Sequence, residues 1–296
     1  MIARDLIVKS AIAALLTAAA AGFAAPPALA HTPYIVPVTF APERDWVGVH
    51  GGMSEEAAFV PDFAIRGAGD WVVTGPDGVQ TGATPTTLKS ANLLDAALPT
   101  AGTYRISTGE RPGRAGKAVK VGGVWRAVRP APADGAPAGS PRPMEAEAVG
   151  GAGPINAADV PAGAEIIDIQ GYLIAETYVS RGAPTPGALK ALGKGLELEP
   201  ATHPNEIYLD DGFSFRMLID GKPASGLRFT VYRGGESYGG ERTAIEGRTD
   251  VDGRATVSFT KPGVYMLEAR YPGPPAPDAM PAARTWIYTL SFEVTP

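Results

Sequence analysis

Three histidines and no cysteine set the chemistry open to this chain. Without thiolates, a metal site must be built from imidazole, carboxylate, thioether or backbone groups, and cysteine nucleophiles and disulfides drop out. The histidines are His31, His50 and His203. His31 directly follows Ala28-Leu29-Ala30, an A-x-A pattern of the kind cut by signal peptidase. A chain cut after Ala30 begins with His31, whose free α-amine and imidazole can close one chelate ring on a metal ion. Groups of these two classes give up their protons to a metal near neutral pH. Pro33 has no amide N–H. The square-planar N-terminal motif that uses deprotonated amides through the third residue is therefore blocked, and distant residues must complete the bite.

His203 is the natural partner by scarcity. It stands in Ala201-Thr202-His203-Pro204-Asn205, and Pro204 biases it to an extended backbone that presents its ring outward. His50 ends an alternating stretch and precedes Gly51-Gly52-Met53, where the Met53 thioether would suit copper(I). Carboxylates are at hand on both sides. Glu55, Glu56 and Asp62 flank Phe59 to Pro61, while Glu199, Asp210 and Asp211 stand near His203. Asp250-Val251-Asp252-Gly253 lacks the later bidentate Glu of a calcium loop and reads better as a hairpin turn. No G-x-S-x-G, H-E-x-x-H, P-loop or Rossmann glycine pattern occurs, so the chain reads as a binding protein rather than an enzyme.

The elements that must position these residues are short strands. Gly (37) and Pro (29) are too frequent among 296 residues for long helices. Residues 1–30 read as a cleavable signal peptide: Arg4 and Lys9 precede an apolar run from Ala11 to Ala24. Nothing later approaches the ~18–20 apolar residues of a membrane-spanning helix. The expected product is a periplasmic protein that does not span the membrane once cut. Its formal charge of −5 falls by one more unit on cleavage, which disfavours nucleic acid as a partner.

Strands from Tyr34 to Phe40 and from Asp45 to His50 open a first β unit over 31–128. Residues 129–163 are Pro/Ala/Gly-rich and read as a linker or a long loop. Residues 164–195 supply connecting strands and one short helix, Thr185 to Leu192, with Pro186 in its first turn and Gly193 at its exit. Residues 196–296 form a second unit, in which Phe213 to Ile219 alternates strongly. Gly102-Thr103-Tyr104 in the first unit echoes Gly263-Val264-Tyr265 in the second. Gly-x-Tyr leading a late strand is a common immunoglobulin-like device. The expected class is all-β: two immunoglobulin-like β-sandwich units with one short helix between them.

Several of these stretches carry a resemblance. Leu196 to Pro200, His203-Pro204-Asn205, Phe213 to Pro223, Thr249 to Arg254 and Pro262 to Tyr265 make the second half similar to an exported bacterial family of domains of unknown function. That family is labelled as a NikM-like periplasmic component of nickel/cobalt transport. The first half is similar in its mature N-terminal His, followed by a Pro and an aromatic, and in Phe59-Val60-Pro61-Asp62. The resemblance implies metal handling and favours Asp62 and Glu56 among the carboxylates. The resulting expectation is an exported protein that binds nickel, cobalt or copper through His31, His203, His50, Asp62 and Glu56. It would assist uptake by an inner- or outer-membrane transporter. The alternative is a metal-free tandem immunoglobulin-like module that recruits a transporter or receptor through its loops.

Overall fold

The computed structural model describes residues 31–55, 58–67, 69–129, 149, 153–236 and 244–296. Residues 31–296 form one compact unit. Residues 1–30, where a signal peptide is expected, Glu56 and most of the 129–163 segment lie outside the described residues.

The first half runs β1 (Thr32–Pro37), β2 (Trp46–Ser54), β3 (Trp71–Thr74), β4 (Gln80–Ala83), β5 (Thr86–Thr87) and β6 (Asn92–Ala97). It continues through β7 (Gly102–Ser107), β8 (Arg111–Val121) and β9 (Val124–Arg129). The two-residue β10 (Ile155–Asn156) and the long β11 (Ile166–Arg181) come next. The second half comprises β12 (Leu196–Pro200), β13 (Ile207–Tyr208), β14 (Phe213–Ile219), β15 (Lys222–Pro223) and β16 (Arg228–Arg233). It closes with β17 (Ala244–Arg248), β18 (Arg254–Val257), β19 (Gly263–Tyr271) and β20 (Arg284–Thr295).

The all-β expectation holds. Strands β1, β2, β6 and β5 form one sheet in that order, and β12, β14, β15 and β18 form another. The remaining strands make one large sheet through which β11 runs as the spine. Its first half pairs antiparallel with β8 and its second half with β7, while its other edge pairs parallel with β20 from Gln170 to Thr177. Period-two alternation then sends its side chains into two cores. Ala175 and Val179 join Ile35, Val49, Trp71 and Ile106, while Ile174 and Tyr178 join Phe213, Phe215, Leu267 and Phe292. Residues 164–195 thus do more than connect, because one strand belongs to both halves. Burying each large apolar side chain contributes roughly 1.5–3 kcal/mol, so the shared strand binds the halves together.

The Gly-x-Tyr echo is structural. The Tyr104 hydroxyl donates to the Thr100 carbonyl at 2.8 Å, and the Tyr265 hydroxyl donates to the Lys261 carbonyl at 2.7 Å. Each tyrosine pins the chain four residues upstream of itself. The Asp250 to Gly253 segment is a hairpin turn, as its residue types require: the Asp250 carboxylate accepts the N–H groups of Asp252 and Arg254.

The short helix is a correction. Only a three-residue 3₁₀ turn, Gly187–Leu189, forms there. Thr185 does not cap it. Its N–H donates to Thr103 Oγ1 and its own Oγ1 accepts the Thr103 N–H, so the residue is spent on β7. Gly187 lies so close to the β3–β4 turn that a Cβ there would sit 1.8 Å from the Pro76 carbonyl oxygen. Only glycine fits at this position. No helix among the described residues is long and apolar enough to cross a membrane.

Strand β1 positions the candidate site. It is an edge strand, the tolerated place for Pro33 and Pro37, which cannot donate to a ladder. It is nevertheless buried along its whole length. Ile35 faces the first core, while Tyr34 and Val36 pack with Phe40 against Met266 of β19. Thr289 Oγ1 donates to the Pro33 carbonyl at 2.7 Å, and Thr32 Oγ1 donates to Glu268 at 3.0 Å. The chain is therefore fixed in place from the residue after His31 onward.

Candidate metal centre

The β1–β2 register sets Thr32 opposite Ser54, which puts His31 beside the exit of β2. The chain then doubles back. Asp62 N–H donates to the Met53 carbonyl and Met53 N–H to the Phe63 carbonyl, each at 2.8 Å, returning residues 58–63 onto the strand end. This return needs Gly52: a Cβ there would stand 2.6 Å from Pro61 Cβ. Phe59 takes a positive φ of 67° at the turn. Glu55 N–H donates to Asp62 Oδ2 at 2.8 Å, which locks the Asp62 carboxylate beside Glu55.

His31 meets this corner. Its Nε2 lies 3.5 Å from Glu55 Oε2 and 3.8 Å from Asp62 Oδ2, both longer than a hydrogen bond. Its ring packs on Phe63 with centroids 4.7 Å apart. Below, the Tyr34 side chain is fully buried and its hydroxyl has no hydrogen-bond partner among the described residues. Burial raises the Tyr34 phenol pKa strongly, and the Asp62 charge adds to the rise.

The donor types suit a divalent transition ion: imidazole nitrogen and carboxylate oxygen, with the α-amine added by cleavage. Side chains alone do not complete a site. Among the described residues, no group of three or more His, Cys, Asp or Glu is arranged to hold a metal ion. The His31, Glu55 and Asp62 contacts form an open corner rather than a closed ligand shell. The α-amine would have to supply the missing donor.

The other nominated residues fall elsewhere. His50 pairs with Val36, four ladder positions from Thr32, or roughly 13 Å along the strand at ~3.3 Å per residue. Its ring stands edge-on to Tyr34 at 5.5 Å, and burial lowers its pKa. Met53 turns into the first core and presents no thioether to the corner. Glu56 lies outside the described residues.

His203 is not brought to His31, and the expected pairing is corrected. Phe40, beyond the far end of β1, accepts the Ser180 N–H; Ser180 Oγ contacts Thr103 Oγ1 at 2.8 Å, and Thr103 Oγ1 contacts His203 Nε2 at 3.0 Å. His31 precedes the six-residue β1, about 20 Å long, while His203 is linked to the chain beyond its other end. His203 is also spent. Its Nδ1 accepts the Asn205 N–H at 3.1 Å, which leaves the proton on Nε2, directed at Thr103 Oγ1 and the Thr185 carbonyl. Burial is the main cause that lowers its pKa, opposed by the Thr185 carbonyl and Glu206. Asn205 in turn holds Ser180 and the Tyr178 carbonyl. This histidine ties loop to strand.

Two participants at the His31 corner stand outside the expected ligand set. Glu55 is one of three neighbouring carboxylates in the sequence, and only the β1–β2 register singles it out as the residue after Thr32's ladder partner. Tyr34 gives no signal, because a tyrosine in an apolar strand reads as core.

No curated protein matches the sequence. Among solved structures, a DUF4785 family protein from Legionella pneumophila is similar at 10% identity and a TM-score of 0.21. That match covers 85% of this chain and 54% of the other, so the chain spans about half the length of that protein. The sequence matches the model of a family described as Domain of unknown function (DUF4198) over residues 28–273, and the chain belongs to that family.

Proposed function

We propose that the protein is exported, cut after Ala30, and binds a transition metal ion in the periplasm through its new N-terminus, assisting nickel, cobalt or copper uptake by a membrane transporter. The observation that carries this reading is the His31 corner. The residue after the A-x-A pattern enters a buried edge strand directly, and its ring faces the Glu55 and Asp62 carboxylates. A mature N-terminus held this way presents its amine and imidazole at a fixed place. The NikM-like label implied by the sequence and the immunoglobulin-like character of the two halves belong to the same proposal. The Irving–Williams order makes copper(II) the tightest ion in vitro, whichever ion is carried in the cell.

The test is metal titration of protein that begins at His31 with its α-amine free against the same protein with that amine acetylated. Stoichiometric binding by the first, lost in the second, supports the reading; equal affinity in both sinks it.

A second reading is a metal-free interaction module that recruits a transporter or receptor. It is favoured by the exposed apolar side chains Val38, Trp46 and Leu93 on and beside the β1–β2–β6 sheet, which are 73%, 46% and 46% exposed. It predicts transporter capture that survives metal chelation and fails in Trp46→Ala.

A further inference from the structure

We infer that the metal is taken by the α-amine and Nδ1 of His31, and that Glu55 and Asp62 act on Nε2 as positioning residues, not as ligands. This rests on the metal reading above and assigns the role of each group within it.

The covalent structure of histidine limits which nitrogen can chelate. The α-amine and Nδ1 are separated by Cα, Cβ and Cγ, so a metal bridging them closes a six-membered ring. Nε2 lies on the far side of the imidazole with its lone pair directed away from the backbone, and it cannot share a metal with the residue's own amine. The nitrogen that faces the carboxylates is Nε2, at 3.5 Å from Glu55 and 3.8 Å from Asp62. The carboxylates therefore face the nitrogen that chelation leaves over. A metal-bound neutral imidazole keeps its proton on that other nitrogen and donates it to an acceptor, commonly a carboxylate, which fixes both tautomer and ring orientation.

The carboxylate at Asp62 is itself held. Asp62 is anchored through its own N–H to Met53 and through its carboxylate to the Glu55 N–H. Phe63, next in the chain, sets the plane of the His31 ring. The arrangement resembles a support for one edge of an imidazole more than a cavity for an ion. It also explains why no closed side-chain ligand set is present among the described residues.

Two nitrogen donors from one residue leave the remaining positions on the ion to water or to a ligand on another molecule. The site would hold a divalent ion in exchangeable form, suited to handing it on. Before cleavage the backbone nitrogen of His31 is an amide, so competence for metal would arise only with processing.

The experiment uses protein beginning at His31, checked by mass, with copper(II) as the probe. Nitrogen-15 NMR of the metal-free protein should show His31 with its proton on Nε2. Copper EPR should give the same g and hyperfine values for wild type, Glu55→Gln, Asp62→Asn and the double variant, while affinity in the double variant falls about 10-fold, the low end for losing such supporting acceptors. Glu55→Asp should recover part of a Glu55→Gln loss. Glu55→Gln guards against misfolding, because the Glu55 carboxylate is part-exposed and reaches out to His31 rather than into either core. A changed EPR ligand set in the variants would overturn the assignment by making a carboxylate a ligand. Unchanged affinity in the double variant would overturn the positioning role. Absence of copper binding by the wild type would overturn the metal reading itself, and this assignment with it.

Discussion

Two histidines, His31 just before β1 and His203 linked through Thr103 and Ser180 to Phe40 beyond its far end, stand in opposite conditions. At its start, His31 turns the Nε2 edge of its ring to two carboxylates, which leaves the Nδ1 edge for a ligand. At its far end, His203 has both ring nitrogens committed, one to a backbone N–H and the other to a hydroxyl and a carbonyl. A histidine whose lone pair already accepts a hydrogen bond must lose that bond before it can bind metal. Rarity in a sequence therefore nominates ligands badly. What decides is whether the fold leaves the lone pair available.

Blocking the amine at one end only is the most severe test of this contrast. Acetylating the His31 α-amine should weaken copper(II) binding by at least ~100-fold, the low end of what joining two donors in one ligand adds. His203→Ala should change affinity by less than about twofold, since distant sites act independently. Isothermal titration on the two proteins measures both. A loss in His203→Ala as large as that from blocking the amine would return His203 to the site.

The stability effects should run the other way. His203→Ala leaves the Asn205 N–H and the Thr103 hydroxyl each short of a partner, and should cost about 1–3 kcal/mol in urea unfolding. Gly52→Ala probes the other end. Its methyl would press on Pro61 at 2.6 Å, and such overpacking costs roughly 1–3 kcal/mol. It should also shift the return loop that carries Asp62, so here alone stability and metal affinity should fall together. Gly52→Ala with wild-type affinity would mean that the loop does not support His31.

What can be read from the sequence is local. Alternation from Phe213 to Ile219 marks a strand, and Phe213, Phe215 and Met217 are buried as that period requires. The Gly-x-Tyr echo marks two matching corners. Asp62 is favoured among the carboxylates only by the family resemblance, and its place beside His31 depends on the return of residues 58–63 onto β2. What cannot be read is set by remote register. The pairing of β11 with β20 joins Gln170 to Arg284, and nothing in Tyr172 to Val179 favours that partner over a nearer strand. Thr185 carries good cap chemistry and spends it on Thr103 instead. His203 fails as a partner for the same reason: its neighbours Thr103 and Ser180 come from other strands, and only the assembled sheet brings them to its ring.

The finest test is acid. His203 is neutral in the fold, and burial holds its pKa below the ordinary value near 6.5. The unfolded chain therefore binds a proton at this residue more readily than the folded one does. A group lowered in this way leaves stability intact above about pH 6.5, and stability falls as pH drops through that value toward the folded pKa. Protonation is opposed by geometry as well, because a proton on Nδ1 would meet the Asn205 N–H already pointed at it. His50, also lowered by burial, contributes with the same sign. The contributions can be separated by difference. His203→Gln keeps a side-chain acceptor and donor but cannot titrate, so its unfolding free energy should fall less than that of wild type between pH 8 and pH 5. His50→Gln should remove a further part. Parallel urea midpoints for wild type and His203→Gln across that range would show that the His203 ring binds a proton as readily in the fold as in the unfolded chain, and the contrast between the two histidines would lose its physical basis.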